Sequence, residues 1–202
     1  MRGEWVVALV ILVSCSSASQ SAEPPTQKAD SIIISDTLEI NLARSILHWK
    51  GTKMRGLGKH EGIINLSGAS LLTQGDRLVG GSFTIDMTSI QVTDIPAHET
   101  VPRRRLVNHL KSEDFFDVAN YPVSRLEIAV VNPIGDSLQI TGNLTIKEIT
   151  KPITFNAFKQ KNELTALIVF DRFRWNVAYE GNLIDRTLVD PKIELKVILK
   201  ME

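Results

Sequence analysis

The chain has 202 residues, and its 23 Lys and Arg balance 23 Asp and Glu, so its formal net charge is zero. That length suits one domain with tails. An apolar content of 43% with 23% charged residues is that of a globular chain, which excludes a wholly disordered, collagen-like or multi-span membrane protein. The balanced charge gives no electrostatic reason to expect nucleic acid as a partner. A single cysteine excludes an internal disulfide.

The N-terminus differs in character from the rest of the chain. Residues 5–13 form the apolar run WVVALVILV, which is shorter than the roughly 20 residues of a membrane-spanning helix and has the length of a signal-peptide core. The run ends at Leu12-Val13-Ser14-Cys15, which resembles a bacterial lipobox, and Cys15 is the sole cysteine. We therefore predict a lipoprotein signal peptide over residues 1–14 and acylation of Cys15 as the lipid anchor. The alternative is an ordinary secretory signal that contains a cysteine.

The segment after Cys15 begins SSASQSAEPPTQKADS, which is rich in Ser, Ala, Pro and Gln and has no large apolar residue. Such a composition cannot bury enough apolar surface to fold by itself. We expect a flexible tether over residues 15–36 and one folded domain over residues 37–202.

Within that domain the apolar residues recur with a period of two, which is typical of strands with one face on a core and one in water. Turns containing Gly, Asn and Pro separate these segments and indicate an antiparallel sandwich or barrel of about eight to ten strands. The predicted strands are, in chain order, Thr37–Leu42, Ser45–Lys50, Glu61–Leu72, Arg77–Ile90, Ser124–Val131, Ser137–Ile146, Pro152–Gln160, Glu163–Asp171, Arg172–Tyr179 and Ile193–Leu199.

One segment breaks the period of two. Pro102–Lys111 has Pro at a suitable first helical position, with Leu106, Val107 and Leu110 at helical spacing, and it predicts a short helix. The helix carries the run Arg103–Arg105, which is either a solvated face or a contact for lipid phosphates or a ligand head group.

The sequence contains no Gly-x-Ser-x-Gly elbow, no Walker A loop and no Gly-x-Gly-x-x-Gly after a strand. His60-Glu61 and His98-Glu99 lack the second His of a zinc-protease motif. A metal site from His98 and His109 has no ligand spacing to support it. We therefore predict a protein that is not an enzyme and has neither catalytic residues nor a metal.

An antiparallel sheet of about eight strands can close into a barrel that is either filled by side chains or holds one small ligand. The predicted inner faces combine large residues such as Phe83 with Gly68, Gly81 and Gly142. Periodicity alone leaves both a hollow and a solid barrel open.

Two long segments resemble the YceI-like family of polyisoprenoid-binding, lipocalin-like proteins. His109–Pro122 reads HLKSEDFFDVANYP and is similar to the family stretch HL-S-DFFDV-YP. Ile140–Ile153 reads ITGNLTIKEITKPI and is similar to ITG-LTI-G-TKPI, with Glu148 where the family pattern usually has Gly. A Gly there would ease a turn with positive φ, so Glu148 implies a different turn within the same fold.

The resemblance implies an all-β fold: an antiparallel eight-stranded lipocalin-like barrel with one short helix near one mouth and an apolar channel for an isoprenoid tail. Inward aromatic residues and the helix are the predicted ligand contacts, and ordinary core packing is the alternative for each. The predicted ligand-binding residues are Trp49, Phe83, Ile85, Leu106, Leu110, Phe116, Phe155, Phe173 and Trp175.

The leading hypothesis is non-enzymatic binding, transport or sequestration of a long apolar lipid, namely a polyisoprenoid, a quinone-like compound or a fatty amphiphile. A bound isoprenoid or isoprenoid quinone would be a ligand, and no other cofactor is expected. We expect the protein in the bacterial cell envelope, on the periplasmic side or at the outer membrane, anchored through acylated Cys15; homodimerisation stays open. One alternative is a solid barrel serving as a structural or protein-interaction module. A weaker one is an enzyme with His109 as its acid or base.

Overall fold

The computed structural model describes residues 36–178 and 189–202. The predicted signal peptide, Cys15 and all of the tether except Asp36 lie outside the described residues, as does segment 179–188. Within these ranges, two short 3₁₀ turns, Leu42–Arg44 and Arg172–Trp175, and one α-helix accompany the strands. The elements are β1 Asp36–Glu39, β2 Ile46–Lys53, β3 Gly58–Gln74, β4 Arg77–Val92, α1 Thr100–Lys111, β5 Val123–Ile134, β6 Ser137–Ile146, β7 Ile149–Gln160, β8 Glu163–Asp171 and β9 Val189–Lys200.

The strands form one antiparallel sheet in the order β1-β3-β2-β9-β8-β7-β6-β5-β4, and pairing of β4 with β3 closes it. β1 pairs with residues 70–73 of β3, whereas β2 pairs with residues 58–64 of the same strand. Because β1 and β2 flank different parts of β3, they share one place in the wall. The result is a closed antiparallel barrel of eight strands with one helix, which confirms the predicted fold.

The alternation seen in the sequence places one face of each strand inside the barrel. In β6, Ile140, Leu144 and Ile146 are buried while Asn143 between them is exposed. The same pattern holds in β8, where Leu164, Ala166 and Ile168 are buried. The period of two therefore identifies the inner face correctly in these central strands.

The two ends of the barrel close differently. At one end, called here the turn end, three short connections carry Gly75, Gly135 and Lys161 in left-handed backbone conformations, and Leu71 and Leu199 fill the space beneath them. At the other end, called here the helix end, α1 packs against β4. No helix in the described part of the chain is long and apolar enough to cross a bilayer.

The predicted strand Arg172–Tyr179 is wrong in its described part. Arg172–Trp175 forms a 3₁₀ turn, because the Asp171 carboxylate accepts the Phe173 N–H and Asn176 adopts a left-handed conformation with φ of 53°. Asp before a helical turn and Asn in the left-handed region are both favoured placements. Alternation of apolar residues over this short stretch therefore arose without a strand.

The β6–β7 turn explains how Glu148 replaces the family glycine. The residue with positive φ is Lys147, at 53°, and Glu148 has an ordinary backbone conformation. The Glu148 carboxylate instead accepts a hydrogen bond from the Tyr121 hydroxyl, which raises the pKa of Tyr121 above its usual 10.0. The fold is the predicted one, and a turn different from that of other family members stays a prediction.

Candidate functional site

A cavity of about 170 Å³, called here the upper cavity, lies inside the helix end of the barrel. Its wall is almost entirely apolar. Strands β2, β3, β4, β5, β6, β8 and β9 contribute side chains to it, and α1 with the segment after it forms the roof. The lining residues are Trp49, Gly51, Thr52, Lys53, His60, Ile64, Ile85, Met87, Ile90, Leu106, His109, Leu110, Phe115, Phe116, Ser124, Leu144, Ile146, Ile168, Phe170, Arg172, Val189, Asp190, Ile193 and Leu195.

The roof is held in place by the turn that follows α1. The Phe116 N–H donates to the Leu110 carbonyl, and the Val118 N–H donates to the Lys111 carbonyl. These bonds fold the chain back under the helix, so that the Phe115 ring meets the Phe116 ring edge-on at 5.0 Å between centroids. The His109 ring lies 5.5 Å from Phe115. The roof is thus a packed set of aromatic rings, held by backbone hydrogen bonds.

Trp49 on β2 lines the upper cavity and packs closely against Gly62 on β3. A Cβ atom on Gly62 would lie 1.8 Å from the Gln91 carbonyl oxygen and 2.7 Å from the Trp49 ring, so no larger residue fits there without a shift. This close approach lets the Trp49 Nε1–H donate to the Gln91 carbonyl at 3.1 Å. The indole is therefore fixed with its polar edge satisfied and its rings against the cavity.

A second, smaller cavity of about 40 Å³, called here the lower cavity, lies deeper in the barrel. Ile85, Ile168 and Leu195 line both cavities and so stand between them. Strands β4 and β8 lie on opposite sides of the barrel, since β7, β6 and β5 separate them one way and β9, β2 and β3 the other. Ile85 and Ile168 therefore narrow the lumen from opposite walls, and we call these three residues the waist.

Polar side chains from β2, β3 and β9 line one side of the upper cavity. The His60 ring Nδ1 lies 2.9 Å from an Asp94 carboxylate oxygen, which orients the imidazole. Asp190 accepts hydrogen bonds from the Thr52 hydroxyl and from the backbone of Arg55, and the first of these is the main cause that lowers the pKa of Asp190 below 3.8. The described residues contain no group of three or more His, Cys, Asp or Glu side chains placed to hold a metal ion.

Arg172 is a buried cation that sequence reasoning missed. Its side chain is 2% exposed, and its three guanidinium nitrogens donate to the carbonyls of Val177 at 2.6 Å, Val189 at 3.0 Å and Asp190 at 3.2 Å. The guanidinium also lies 4.3 Å from the centroid of the Phe173 ring. Hydrogen bonds of this kind offset the cost of burying the charge. The Asp171 cap and Asn176 were the available signals for the turn that directs Arg172 inward.

The nine predicted ligand residues fall into three groups. Five of them line the upper cavity: Trp49, Ile85, Leu106, Leu110 and Phe116. Phe83 and Phe155 line the lower cavity, together with Ile85 from the waist.

The remaining two line neither cavity. Trp175 is fully buried, and its Nε1–H donates to the Leu144 carbonyl at 3.0 Å. Phe173 is 38% exposed and packs on the Arg172 guanidinium. Direct contact of any of the nine with a ligand stays a prediction.

Curated relatives match parts of the chain. It is 37% identical over 82 residues to a UPF0312 protein of Pseudomonas aeruginosa (strain LESB58), a match that covers 38% of this chain and 43% of the relative. It is 45% identical over 49 residues to Protein YceI of Salmonella arizonae, covering 24% of this chain and 26% of that protein. The matched segments thus span less than half the length of these relatives.

Solved structures share the architecture over a longer stretch. Burkholderia cenocepacia BcnA superposes with a TM-score of 0.64 at 20% identity, covering 80% of this chain and 98% of BcnA. A Campylobacter jejuni YceI protein superposes with a TM-score of 0.52 at 21% identity, covering 69% and 84%. At such identities the likeness shows a common fold. The family model described as the YceI-like domain matches residues 38–201, and the chain therefore belongs to the YceI-like domain family.

Proposed function

We propose that this protein binds a long-chain amphiphile, such as a polyisoprenoid, an isoprenoid quinone or a fatty amphiphile, with its apolar tail in the barrel. The protein sequesters or transports this ligand in the cell envelope and makes or breaks no bond in it. The observation that carries the proposal is the upper cavity, an apolar space of about 170 Å³. Membership of a family of barrels consistent with hydrophobic ligand binding supports it.

The size of the upper cavity limits how much tail it holds. An apolar protein cavity of about 150 Å³ accommodates a benzene ring, so a cavity of about 170 Å³ holds roughly six carbons. Burying six methylene-sized groups contributes about 5 kcal/mol, which corresponds to a dissociation constant on the order of 0.1–1 mM before association costs. Tighter binding requires that the tail pass the waist into the lower cavity, or that the head group add contacts at the rim.

The edge of the upper cavity offers places for a polar head group. Thr52, Lys53, His60 and Asp190 all line this side of the cavity. Together they supply a hydroxyl, an ammonium, an imidazole and a carboxylate, which can donate to or accept from a quinone, phosphate or carboxyl head. A ligand with its head here and its tail toward the waist satisfies both the polar edge and the apolar interior.

Attachment to a bacterial envelope is part of the proposal. It is supported by the apolar run of residues 5–13 and by Cys15 at the end of a lipobox-like sequence. Two or three acyl chains on Cys15 would hold the protein at a membrane stably, whereas a single chain binds only marginally. Mass spectrometry of the membrane fraction tests this step, with Cys15→Ser expected to lose the acyl mass.

Ligand binding is tested by native mass spectrometry of the purified full chain, followed by organic extraction, and by uptake of a fluorescent conjugated polyene fatty acid. Leu106→Phe, on the cavity side of α1, is expected to reduce uptake because the ring enters the ligand space. Asn108→Phe, on the exposed side of the same helix, is the matched control and is expected to leave uptake unchanged. If the protein carries no lipid and takes up no polyene or quinone, ligand binding is wrong and a structural or interaction module becomes the better explanation.

A further inference from the structure

The connection between β2 and β3 exposes an unusual pair of apolar side chains. We call residues 53–59, which read KMRGLGK, the 53–59 tip. Leu57 is 85% exposed, more than any other large hydrophobic residue in the described part of the chain, and Met54 is 50% exposed. Single exposed apolar residues are common and need no explanation. Two of them in one short connection, next to residues that line an apolar cavity, form a surface that a partner can cover.

The 53–59 tip is held in shape from below. Met54, Arg55 and Gly56 adopt left-handed backbone conformations with φ of 53°, 57° and 87°. Residues other than Gly rarely adopt such conformations. The Asp190 carboxylate braces them, because one oxygen accepts the Arg55 N–H at 3.0 Å and the other accepts the Gly56 N–H at 3.0 Å and the Thr52 hydroxyl at 2.6 Å. Leu57 is therefore presented by a supported loop.

The charged side chains within the 53–59 tip itself have one sign. The 53–59 tip contains Lys53, Arg55 and Lys59 and has no acidic residue. The acidic groups close by already have donors, since Glu61 accepts from Lys59 at 2.9 Å and Asp190 binds the loop backbone. Among the described residues, neither Lys53 nor Arg55 forms a direct salt bridge. Exposed apolar side chains flanked by cations are the pattern of a surface that sits at the interface of an anionic membrane.

The 53–59 tip also adjoins the upper cavity. Thr52 and Lys53 line that cavity, as does Asp190, which braces the tip. We propose that the 53–59 tip docks on an anionic lipid surface, with Leu57 and Met54 at the level of the head groups and Lys53 and Arg55 against lipid phosphates. Docking of this kind brings this side of the cavity to the membrane, so that an apolar tail moves between bilayer and barrel with little exposure to water. The docking stands by itself, whereas its use for ligand transfer rests on the proposed function.

The test uses the full chain with Cys15→Ser, which removes acylation, and Leu57→Cys labelled with a polarity-sensitive fluorophore. The matched control carries the label at Ile134→Cys, which is 53% exposed at the end of β5 on the turn end of the barrel. Both proteins keep the apolar run of residues 5–13, so any membrane association through that run is common to them. Vesicles are made either of equal parts phosphatidylcholine and phosphatidylglycerol or of phosphatidylcholine alone.

We expect the label at position 57 to shift to the blue and become shielded from aqueous iodide with the anionic vesicles, while the label at 134 stays quenchable. The pair Lys53→Gln and Arg55→Gln in the protein labelled at 57 should weaken this response about tenfold or more, since each cation near an anionic surface contributes to binding. A response equal in both vesicle types, equal at both labels or absent overturns the proposal. A larger response to soluble polyglutamate than to vesicles also overturns it, because the partner would then be an acidic protein.

A separate measurement keeps docking distinct from ligand binding. Leu57→Ser should slow transfer of the fluorescent polyene from anionic vesicles to the protein about tenfold or more, because the lost apolar contact is that of a buried leucine. Its uptake of the polyene from solution should match that of the unmodified chain. Slow uptake from solution as well would overturn the docking role of Leu57, and loss of uptake in every protein would overturn the proposed function instead.

Discussion

The helix end and the turn end of the barrel are built from the same strands, yet they enclose very different space, about 170 Å³ above the waist and about 40 Å³ below it. Along β2, Leu47 lines the lower cavity and Gly51 the upper one; along β5, Leu126 lines the lower cavity and Ser124 the upper one. On these two strands a small residue replaces a leucine on the inner face as the strand approaches the helix. The volume of the upper cavity therefore depends on which residues occupy these inward positions, and closure of the barrel alone does not produce it.

The ends also differ in how they are covered. Short turns close the turn end, where leucine side chains fill the space below them. The helix end is roofed by α1 and the phenylalanine pair after it, and Arg172 joins this roof to β9 through the carbonyls of Val189 and Asp190. A roof made of side chains can part more readily than a strand wall, because few backbone hydrogen bonds connect it to the barrel. Ligand entry is accordingly expected at the helix end.

The largest predicted effect comes from removing the Arg172 charge. Arg172→Met keeps much of the volume but leaves the carbonyls of Val177, Val189 and Asp190 without their donor. Leaving buried polar groups unsatisfied is expected to lower the free energy of unfolding by about 3–5 kcal/mol. Denaturant unfolding followed by circular dichroism measures this change. The control is Arg174→Met, an exposed neighbour, for which we expect a loss below about 1 kcal/mol; equal losses would show that Arg172 has no special structural role.

Arg172 also shows which features of the structure cannot be predicted from the sequence. The central strands and α1 could be predicted from the period of two and the helical spacing, because both signals are local in sequence. The barrel was predicted from the segments that resemble the family. Burial of Arg172 depends on the Val177 carbonyl and on two carbonyls at the start of β9, and periodicity carries no information about such contacts. Likewise, alternation identified Phe83 and Ile85 as inward residues, but only the packed barrel shows that Phe83 lies below the waist and Ile85 within it.

The second prediction tests whether small inward residues make the upper cavity. A Cβ atom on Gly51 would meet nothing within 4 Å, and Gly51 lines the upper cavity, so Gly51→Leu is expected to fill ligand space without a clash. Displacing about four ligand carbons removes about 3 kcal/mol of binding free energy, or roughly a hundredfold in affinity. Polyene titration measures the affinity, and thermal unfolding checks that the barrel is intact.

Gly68→Leu is the matched control for Gly51→Leu. Gly68 lies on β3 and lines neither cavity, and a Cβ atom there would meet the Thr84 side chain at an ordinary 3.7 Å. We expect this variant to bind the polyene like the unmodified chain. Equal loss of affinity in both variants would indicate that strand disturbance, and no filled cavity, explains the result for Gly51.

The third prediction concerns the waist, which separates the two cavities. Ile168→Val removes one methyl group from it and is expected to lower the free energy of unfolding by about 1 kcal/mol. If a long tail must pass the waist, its affinity should rise relative to that of a short tail by up to about fourfold, the equivalent of one extra buried methylene. Competition between fatty acids of different length measures this ratio. A ratio that stays constant would show that tails end above the waist.

The smallest predicted effect is a change in the pH dependence of stability, and it should appear at the helix end and leave the turn end unaffected. Hydrogen bonds from Thr52 and from the backbone of Arg55 and Gly56 hold the pKa of Asp190 below its ordinary value of 3.8. A carboxylate with a lowered pKa in the folded state stabilises the fold above its ordinary pKa, and this stabilisation is lost as the pH falls through the lower folded value. Asp190→Asn should therefore flatten the acid limb of stability below about pH 4 and increase exchange of the Arg55 and Gly56 amides, while the turn-end amides near Gly135 stay protected as before. An unchanged acid limb together with unchanged exchange at Arg55 and Gly56 would show that Asp190 does not brace the 53–59 tip.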